Sequence, residues 1–354
     1  MRRPLYGQEG EEQVQFPESP CQTAHMGLWY DKFCDRWTLE GIFWVLGKNK
    51  EKWTQRVAGE RGDKEQIEDA ITRFRRLVES RSGSLLPMKT TSRFVTGLGR
   101  SHPVENGFAW HPTLGTAYLP GSSVKGMVRA WAQECGVEET EIQRLLGTES
   151  KVGEWIFFDA LPLKPICLEV DIMTPHYGDY YADPKQNPPH DRSNPIPIPF
   201  LTVAEEQEFV FAFAPRRIQE KQESDEEKLS SWLKGALDWM GAGAKTAVGY
   251  GRFTTNKDKE NEWKKEQEER QRQEEEQRKL AEIQRERAKL PMPYREMVED
   301  GYEEDTNRFM EAMTIKWLPR LEEPGEEKRF EIAEYLMKWY KNHMLYVEEA
   351  QQEK

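Results

Sequence analysis

Cysteine is scarce and scattered. Cys21, Cys34, Cys135 and Cys167 are the only four in 354 residues, and no two form a C-x-x-C pair, so neither a zinc knuckle nor a disulfide framework is expected. Long apolar runs are missing too. None approaches the ~18 residues of a membrane span, and the opening MRRPLYGQEGEEQ has no apolar h-region of a signal peptide, which leads to the expectation of a cytoplasmic protein without membrane partners. Positive charge is in deficit. A formal net charge of −12 argues against indiscriminate nucleic-acid binding, which phosphate neutralisation drives.

What is present is unevenly distributed. Hydrophobic residues make up 37% and charged residues 32%, as in a globular part joined to an unusually polar one. Between Ser84 and Gln133 lie five basic residues (Lys89, Arg93, Arg100, Lys125, Arg129) and one acid, Glu105. Gly241–Arg252 holds two basic residues and no acid. Two islands thus stay positive inside an acidic chain.

Periodicity supplies the elements. Residues 1–26 are polar with scattered proline and glycine, and suit an irregular arm. From 27 to 83 the pattern is helical, clearest at Asp63–Ser80, where Ile67, Ile71, Phe74 and Val78 recur before Gly83. Thr91–Val95 reads as a strand opening into a long loop, 97–120, of the length that is usually functional or mobile. A helix from Ser122 carries Val124, Val128, Trp131 and Cys135 on its buried face. Glu154–Leu161, Ile166–Ile172 and Glu208–Ala214 alternate as strands, with Phe209, Phe211 and Phe213 on one side of the last. Six prolines in 183–199 exclude a central strand and suggest an excursion off the sheet. Ser224 and Glu227 suggest a capping box for a helix to Met240 with the stripe Leu229, Trp232, Leu233, Ala236, Leu237 and Met240. Arg252–Thr255 closes as a strand. The order strand, helix, strands, helix, strand over 91–255 is the plan of an α+β, ferredoxin-like (RRM-like) domain. After 256 the composition changes: Lys257–Leu290 has eleven bases and eleven acids, as in a solvated helix with (i, i+4) charge pairs. A last helix near 326–350 carries Phe330, Ala333, Met337, Tyr340, Met344 and Val347 as a seam to be buried. The expected domains are 1–26, 27–256 and the charged helical extension 257–354.

Three constellations carry candidate chemistry. In LPGSSVKGMVR (119–129), Gly121, Ser122 and Ser123 sit where unpaired helix N–H groups point outward. Lys125 lies at the wrong end of the helix dipole unless an anion binds there, and Arg129 extends that basic face. An ordinary N-capped helix is the bland alternative. In GAGAKTAVGYG (241–251) the loop runs from helix into strand, the reverse of a P-loop or dinucleotide fingerprint. Gly241, Gly243, Gly249 and Gly251 let backbone amides approach phosphates, Lys245 and Thr246 add polar contacts, and Tyr250 offers a ring for a base; a flexible turn is the alternative. In loop 97–118, Arg100 with His102, Phe108, Trp110, His111 and Tyr118 interleaves charge and aromatics in a way that suits single-stranded RNA, and Arg93, of the basic island before the loop, is a further candidate RNA contact. General-base cleavage by His102 or His111 is the rival, although histidines beside proline are more often hydrogen-bonding fixtures. Asp171, His176, Asp179 and Asp183 match no regular ligand spacing, so no metal, cofactor or catalytic residue is expected. Thr174–Tyr181 suits an aromatic surface.

Taken in order, SRFVTGLGRSHPVENGFAWHPTLGTAYLPGSSVKGMVRAWA, VDIMTPHYGDYY and GAGAKTAVGYGRF resemble the RAMP superfamily of CRISPR proteins and, within it, the family of the sixth RAMP subunit of type III-B (Cmr) effectors. The resemblance spans about residues 27–255. It implies a non-catalytic subunit that caps the RAMP filament near the 3′ end of the guide RNA. The implied partners are guide RNA, target RNA and the other RAMP and small helical subunits. In such complexes an aspartate in a loop of the filament subunit is held to cut target RNA. Asp31, in MGLWYDKF, lies in an expected helix, so that role is not carried over. A pure assembly role with incidental RNA contact is a further alternative.

Overall fold

The computed structural model describes residues 25–343 except 35–36, 42, 47–49, 103, 178–179, 182, 187, 189–194, 196, 219–222, 290–291 and 324–326. Most of the arm 1–26 and eight of the seventeen residues of the Pro-rich stretch 183–199 therefore lie outside the described residues, while Ile198 and Pro199 at its end already belong to a strand. The chain divides into two units, Met1–Glu262 and Trp263–Lys354.

The first unit begins with α1 (Met26–Lys32), the hairpin β1 (Trp37–Glu40) and β2 (Phe43–Leu46), α2 (Lys50–Gln55), β3 (Gly59–Arg61) and α3 (Lys64–Ser80). The stretch expected to be helical thus holds strands as well. It continues with β4 (Ser84–Thr90), α4 (Gly121–Glu134), α5 (Glu139–Leu146), β5 (Trp155–Phe157), β6 (Leu161–Pro162), β7 (Ile166–Met173), β8 (Ile198–Val203) and β9 (Glu208–Pro215). It closes with α6 (Glu223–Gly235), a π-helical turn (Ala236–Met240) and β10 (Phe253–Thr255).

One antiparallel sheet has the order β10-β4-β9-β5, with β6 also on β9. A second has the order β3-β7-β8. The first strand of the large sheet lies earlier than Thr91–Val95, where only Phe94 bridges Val203. Pro87 disguised it, because proline is rare inside central strands. The residue is tolerated here because its carbonyl accepts from Asn256 N–H (2.9 Å), so its imide nitrogen faces the side where β10 has already ended at Thr255. Phe94, Phe209, Phe211 and Phe253 meet edge-on beneath the sheet, with centroids 5.3–5.9 Å apart, an arrangement favoured by the ring quadrupole. Val124, Val128 and Ala132 of α4 and Leu229, Leu233 and Leu237 join that core, whereas Trp131 is half-buried and Cys135 exposed.

A side-chain cap explains the start of α3 but not that of α6. Asp63 caps α3 by accepting from Gln66 N–H at 3.0 Å. For α6 the helix is already under way at Glu223, so Ser224 is inside its first turn and does not cap it. Its apolar stripe is as expected, with Leu229, Trp232, Leu233, Ala236 and Leu237 buried.

A 33-residue helix, α7 (Lys257–Lys289), spans the division between the units. The second unit contains α8 (Tyr294–Glu299), α9 (Thr306–Ala312), a π turn (Met313–Trp317), α10 (Leu318–Glu322) and α11 (Arg329–Asn342). Its core is Met297, Phe309, Met313, Trp317, Ile332, Leu336 and Trp339. The buried face of α11 is therefore not the expected seam: Phe330 is 91% and Met337 49% exposed, while Met344 and Val347 lie outside the described residues. Both stripes have helical spacing, and Trp339 wins the inside because its N–H also reaches the Tyr302 carbonyl (3.0 Å).

Candidate nucleic-acid interface

The glycine-rich loop has a fastened neck and an open tip. Ala244 N–H donates to Val95 O, Ala242 N–H to Gly251 O and Gly251 N–H to Arg93 O, each at 2.8 Å. Such close approach demands glycine. A Cβ on Gly243 (φ +81°) would sit 2.0 Å from Val95 O, and one on Gly251 (φ +77°) 2.0 Å from Ala242 O. Beyond the neck, Lys245 adopts a left-handed conformation and Thr246–Val248 form a single 3₁₀ turn. Val248 is 72% exposed, and Gly249 has open space around it. Among the described residues, the backbone N–H groups of Lys245, Thr246 and Ala247 donate no hydrogen bond.

Beside this loop lies a cleft of about 530 Å³, walled by Thr96–Arg100, Ala109, Leu119, Pro120, Ser123, Met127, Met240, Gly241, Gly243, Ala244 and Thr246. All three sequence constellations thus meet there. Of the candidate contacts, Arg100, Ser123, Gly241, Gly243 and Thr246 line it. Arg100 is exposed and forms no ion pair among the described residues.

The other candidates are held elsewhere. Arg93 bonds Glu169 (2.7 Å) and Asp171 (2.8 Å), and the Tyr250 hydroxyl donates to the same Asp171 oxygen. Burial works to raise the Asp171 pKa, but the bonds from Tyr250, the Ile172 amide and Arg93 together hold it below its usual value. The Arg93 guanidinium and the Tyr250 hydroxyl are thus already engaged by carboxylates of the protein itself. Lys245 lies near them with its ammonium 5.2 Å from the Phe200 ring centroid. Asp171, raised from sequence only as a doubtful metal ligand, anchors this network. Among the described residues no cluster of His, Cys, Asp and Glu is arranged to hold a metal ion.

At the start of α4 the Gly121 amide donates to the Asp159 carboxylate (2.7 Å), and the Ser123 and Val124 amides turn back to Pro120 O. The anion expected at this helix end is thus one of the protein's own side chains, and nothing in the sequence pattern singled it out. Ser122 is exposed outside the cleft. Arg129 donates to the Gly147 carbonyl at the end of α5 and so serves packing. Lys125 forms no ion pair among the described residues. Burial, then Arg129 and Arg216, pulls its pKa down, the mark of a cation without a counter-ion.

The histidines are fixtures. The His102 side chain is 2% exposed and stacks on Tyr30 at 4.2 Å. Its Nε2 lies 3.1 Å from Tyr30 O, and its Nδ1 accepts from Val104 N–H at 3.1 Å. Burial lowers its pKa to about 4, so the Asp31 carboxylate 3.6 Å away faces a neutral ring rather than forming an ion pair. Asp31 lies in α1, and burial raises its pKa. His111 Nδ1 accepts from Leu114 N–H (3.2 Å), and burial lowers its pKa as well. Phe108 and Trp110 are core residues, so the long loop is a packed segment with few exposed rings.

Residues 88–254, which hold the cleft and the glycine-rich loop, match the model of the RAMP superfamily. The chain is 33% identical over 228 residues to the CRISPR system Cmr subunit Cmr6 of Pyrococcus furiosus, covering 46% of this chain and 65% of the relative. It is 25% identical over 200 residues to the CRISPR system CMR subunit Cmr6 of Saccharolobus solfataricus, covering 54% and 66%. The chain therefore spans less than two thirds of the length of either curated relative. A chain in the cryo-EM structure of the type III-B Cmr-beta complex bound to cognate target RNA is similar at 22% identity with a TM-score of 0.49, covering 58% of this chain and 71% of that one. Among the described residues no helix is long and apolar enough to cross a membrane.

Proposed function

We propose that the chain is a non-catalytic RNA-binding subunit of a type III-B CRISPR effector, gripping the guide-RNA backbone near its 3′ end and capping the RAMP filament in defence against foreign nucleic acid. Its partners are guide and target RNA and the other RAMP and small helical subunits. The relatives named Cmr6 support the assembly. The sequence β4, α4, β5 with β6, β9, α6, β10 supports a ferredoxin-like domain, extended by the charged helices after 256. The observation that carries the reading is the cleft, where Arg100, the α4 N-terminus and the glycine-rich loop meet. Its polar groups are backbone amides, hydroxyls and the exposed Arg100 guanidinium, which forms no ion pair among the described residues; these suit phosphates rather than base edges. The neutral, doubly bonded His102 supports a grip without cleavage, since a general base needs a free nitrogen.

The test is guide-RNA retention by the reconstituted complex across a salt series. Arg100→Ala should lower the salt slope by about 0.7, one single-strand phosphate contact. Gly243→Ala, whose Cβ would meet the Val95 carbonyl oxygen, should weaken retention at every salt concentration. If both variants retain RNA as the parent does, the grip is refuted and a purely assembling subunit is the better account.

A further inference from the structure

Twelve tryptophans occur in the chain. Among the described side chains Trp239 is the one that is mostly exposed, at 70%. The others described are buried or half-buried. An exposed large apolar ring is the informative exception to burial.

Local geometry explains the exposure. In a continuing α-helix, residue 239 would return to the face of Trp232, seven positions back, and of Ala236, three back, both in the core. The turn Ala236–Met240 is instead π-helical, closed by Gly241 N–H to Ala236 O at 2.8 Å, an i→i+5 bond. The wider turn delays the return to the core face and leaves the indole outside. Such turns cost helix regularity and cluster where a side chain must be re-aimed. Among the described residues the indole stacks on no other ring and receives no cation. The next residue, Met240, already lines the cleft with Gly241, Ala244 and Thr246.

We infer that Trp239 is a stacking platform for a nucleobase of the RNA whose backbone lies in the adjacent cleft. The inference rests on the proposed RNA grip and assigns it the aromatic element that loop 97–118 and Tyr250 do not supply: Phe108 and Trp110 are core residues, and the Tyr250 hydroxyl is tied to Asp171. A base has two apolar faces and needs no hydrogen-bond readout to stack, so the platform is tolerant of sequence. A protein partner could also use an exposed tryptophan, but the cleft beside it, although Leu98, Leu119, Met127 and Met240 are in its wall, also presents Thr96, Ser123, Thr246, four glycines and Arg100, groups that suit a phosphate backbone.

The reconstituted complex is assembled with guide RNAs carrying 2-aminopurine or an abasic site at successive positions near the 3′ end. Trp239→Ala should dequench one 2-aminopurine position and weaken retention roughly tenfold, while Trp239→Phe keeps most of both effects. An abasic site at that position should abolish the difference between parent and Trp239→Ala. Three results overturn the inference: no position responds although RNA is retained and Arg100→Ala weakens it; Trp239→Ala impairs subunit entry equally without RNA, which marks a protein contact; or the parent retains RNA no better than Arg100→Ala and Gly243→Ala, in which case the grip itself falls.

Discussion

Replacing His102 by Gln should flatten the acid side of the stability profile. His102 has a folded pKa near 4 because burial penalises the imidazolium, against an ordinary value near 6.5. The unfolded chain therefore binds a proton through this window that the folded chain refuses, so stability is complete above about pH 6.5 and falls as pH drops toward 4. At about 1.4 kcal/mol per pKa unit the whole window is worth about 3 kcal/mol, of which roughly 2 kcal/mol is lost between pH 6.5 and 5. His111 is shifted in the same direction. Asp31 is an acid with a raised pKa, so it acts with opposite sign and closer to its own range, which makes pH 5–6.5 the window to use. Urea unfolding followed by tryptophan fluorescence reports directly, since Trp53 and Trp110 lie against Tyr30, on which the imidazole stacks, and Trp29 stacks on Trp53. At pH 7 His102→Gln is less stable because the stack on Tyr30 is lost. Between pH 6.5 and 5 it should lose about 2 kcal/mol less than the parent. Parallel profiles would refute the claim that a buried neutral imidazole is held there.

Two further outcomes follow from paired side chains. Asp225, buried, receives both Arg144 terminal nitrogens at 2.8 Å; Asp225→Ala should cost about 2–3 kcal/mol in urea unfolding, less than for a fully buried pair because Arg144 keeps Glu154, and a loss below about 0.5 kcal/mol would discount the pair. Tyr250→Phe removes the hydroxyl bond to Asp171 while keeping the ring, and should lower thermal stability by the equivalent of about 1 kcal/mol with guide-RNA retention nearly unchanged. A Tyr250→Ala variant that is equally stable yet binds RNA tenfold more weakly would instead make that ring a stacking surface.

The sequence was most legible where one periodic pattern met one buried face. Ile67, Ile71 and Val78 on α3, the phenylalanines of β9 and the stripe of α6 lie where their spacing put them. Legibility failed where two patterns competed or a punctuator misled. Pro87 hid β4, the second apolar stripe of α11 pointed at Phe330, and the Pro-rich tract hid β8 behind it. For the candidate site, sequence located the glycine-rich loop, the start of α4 and Arg100. It did not show that Arg93 and Tyr250 bond Asp171 or that Arg129 bonds the Gly147 carbonyl, because contacts between residues 18 to 79 apart in the chain leave no periodic trace. It also passed over Trp239, since only an unheralded π turn separates that residue from the core face.

The fastened neck of the glycine-rich loop has a thermodynamic corollary. A glycine-rich segment that ordered only on meeting its ligand would surrender roughly 1–2 kcal/mol of backbone entropy per residue at that moment. Here the bonds from Ala242, Ala244 and Gly251 settle most of that loss during folding, before any ligand arrives. The tip is thus presented as a preformed edge of amides, and its association should be limited by encounter and charge rather than by rearrangement.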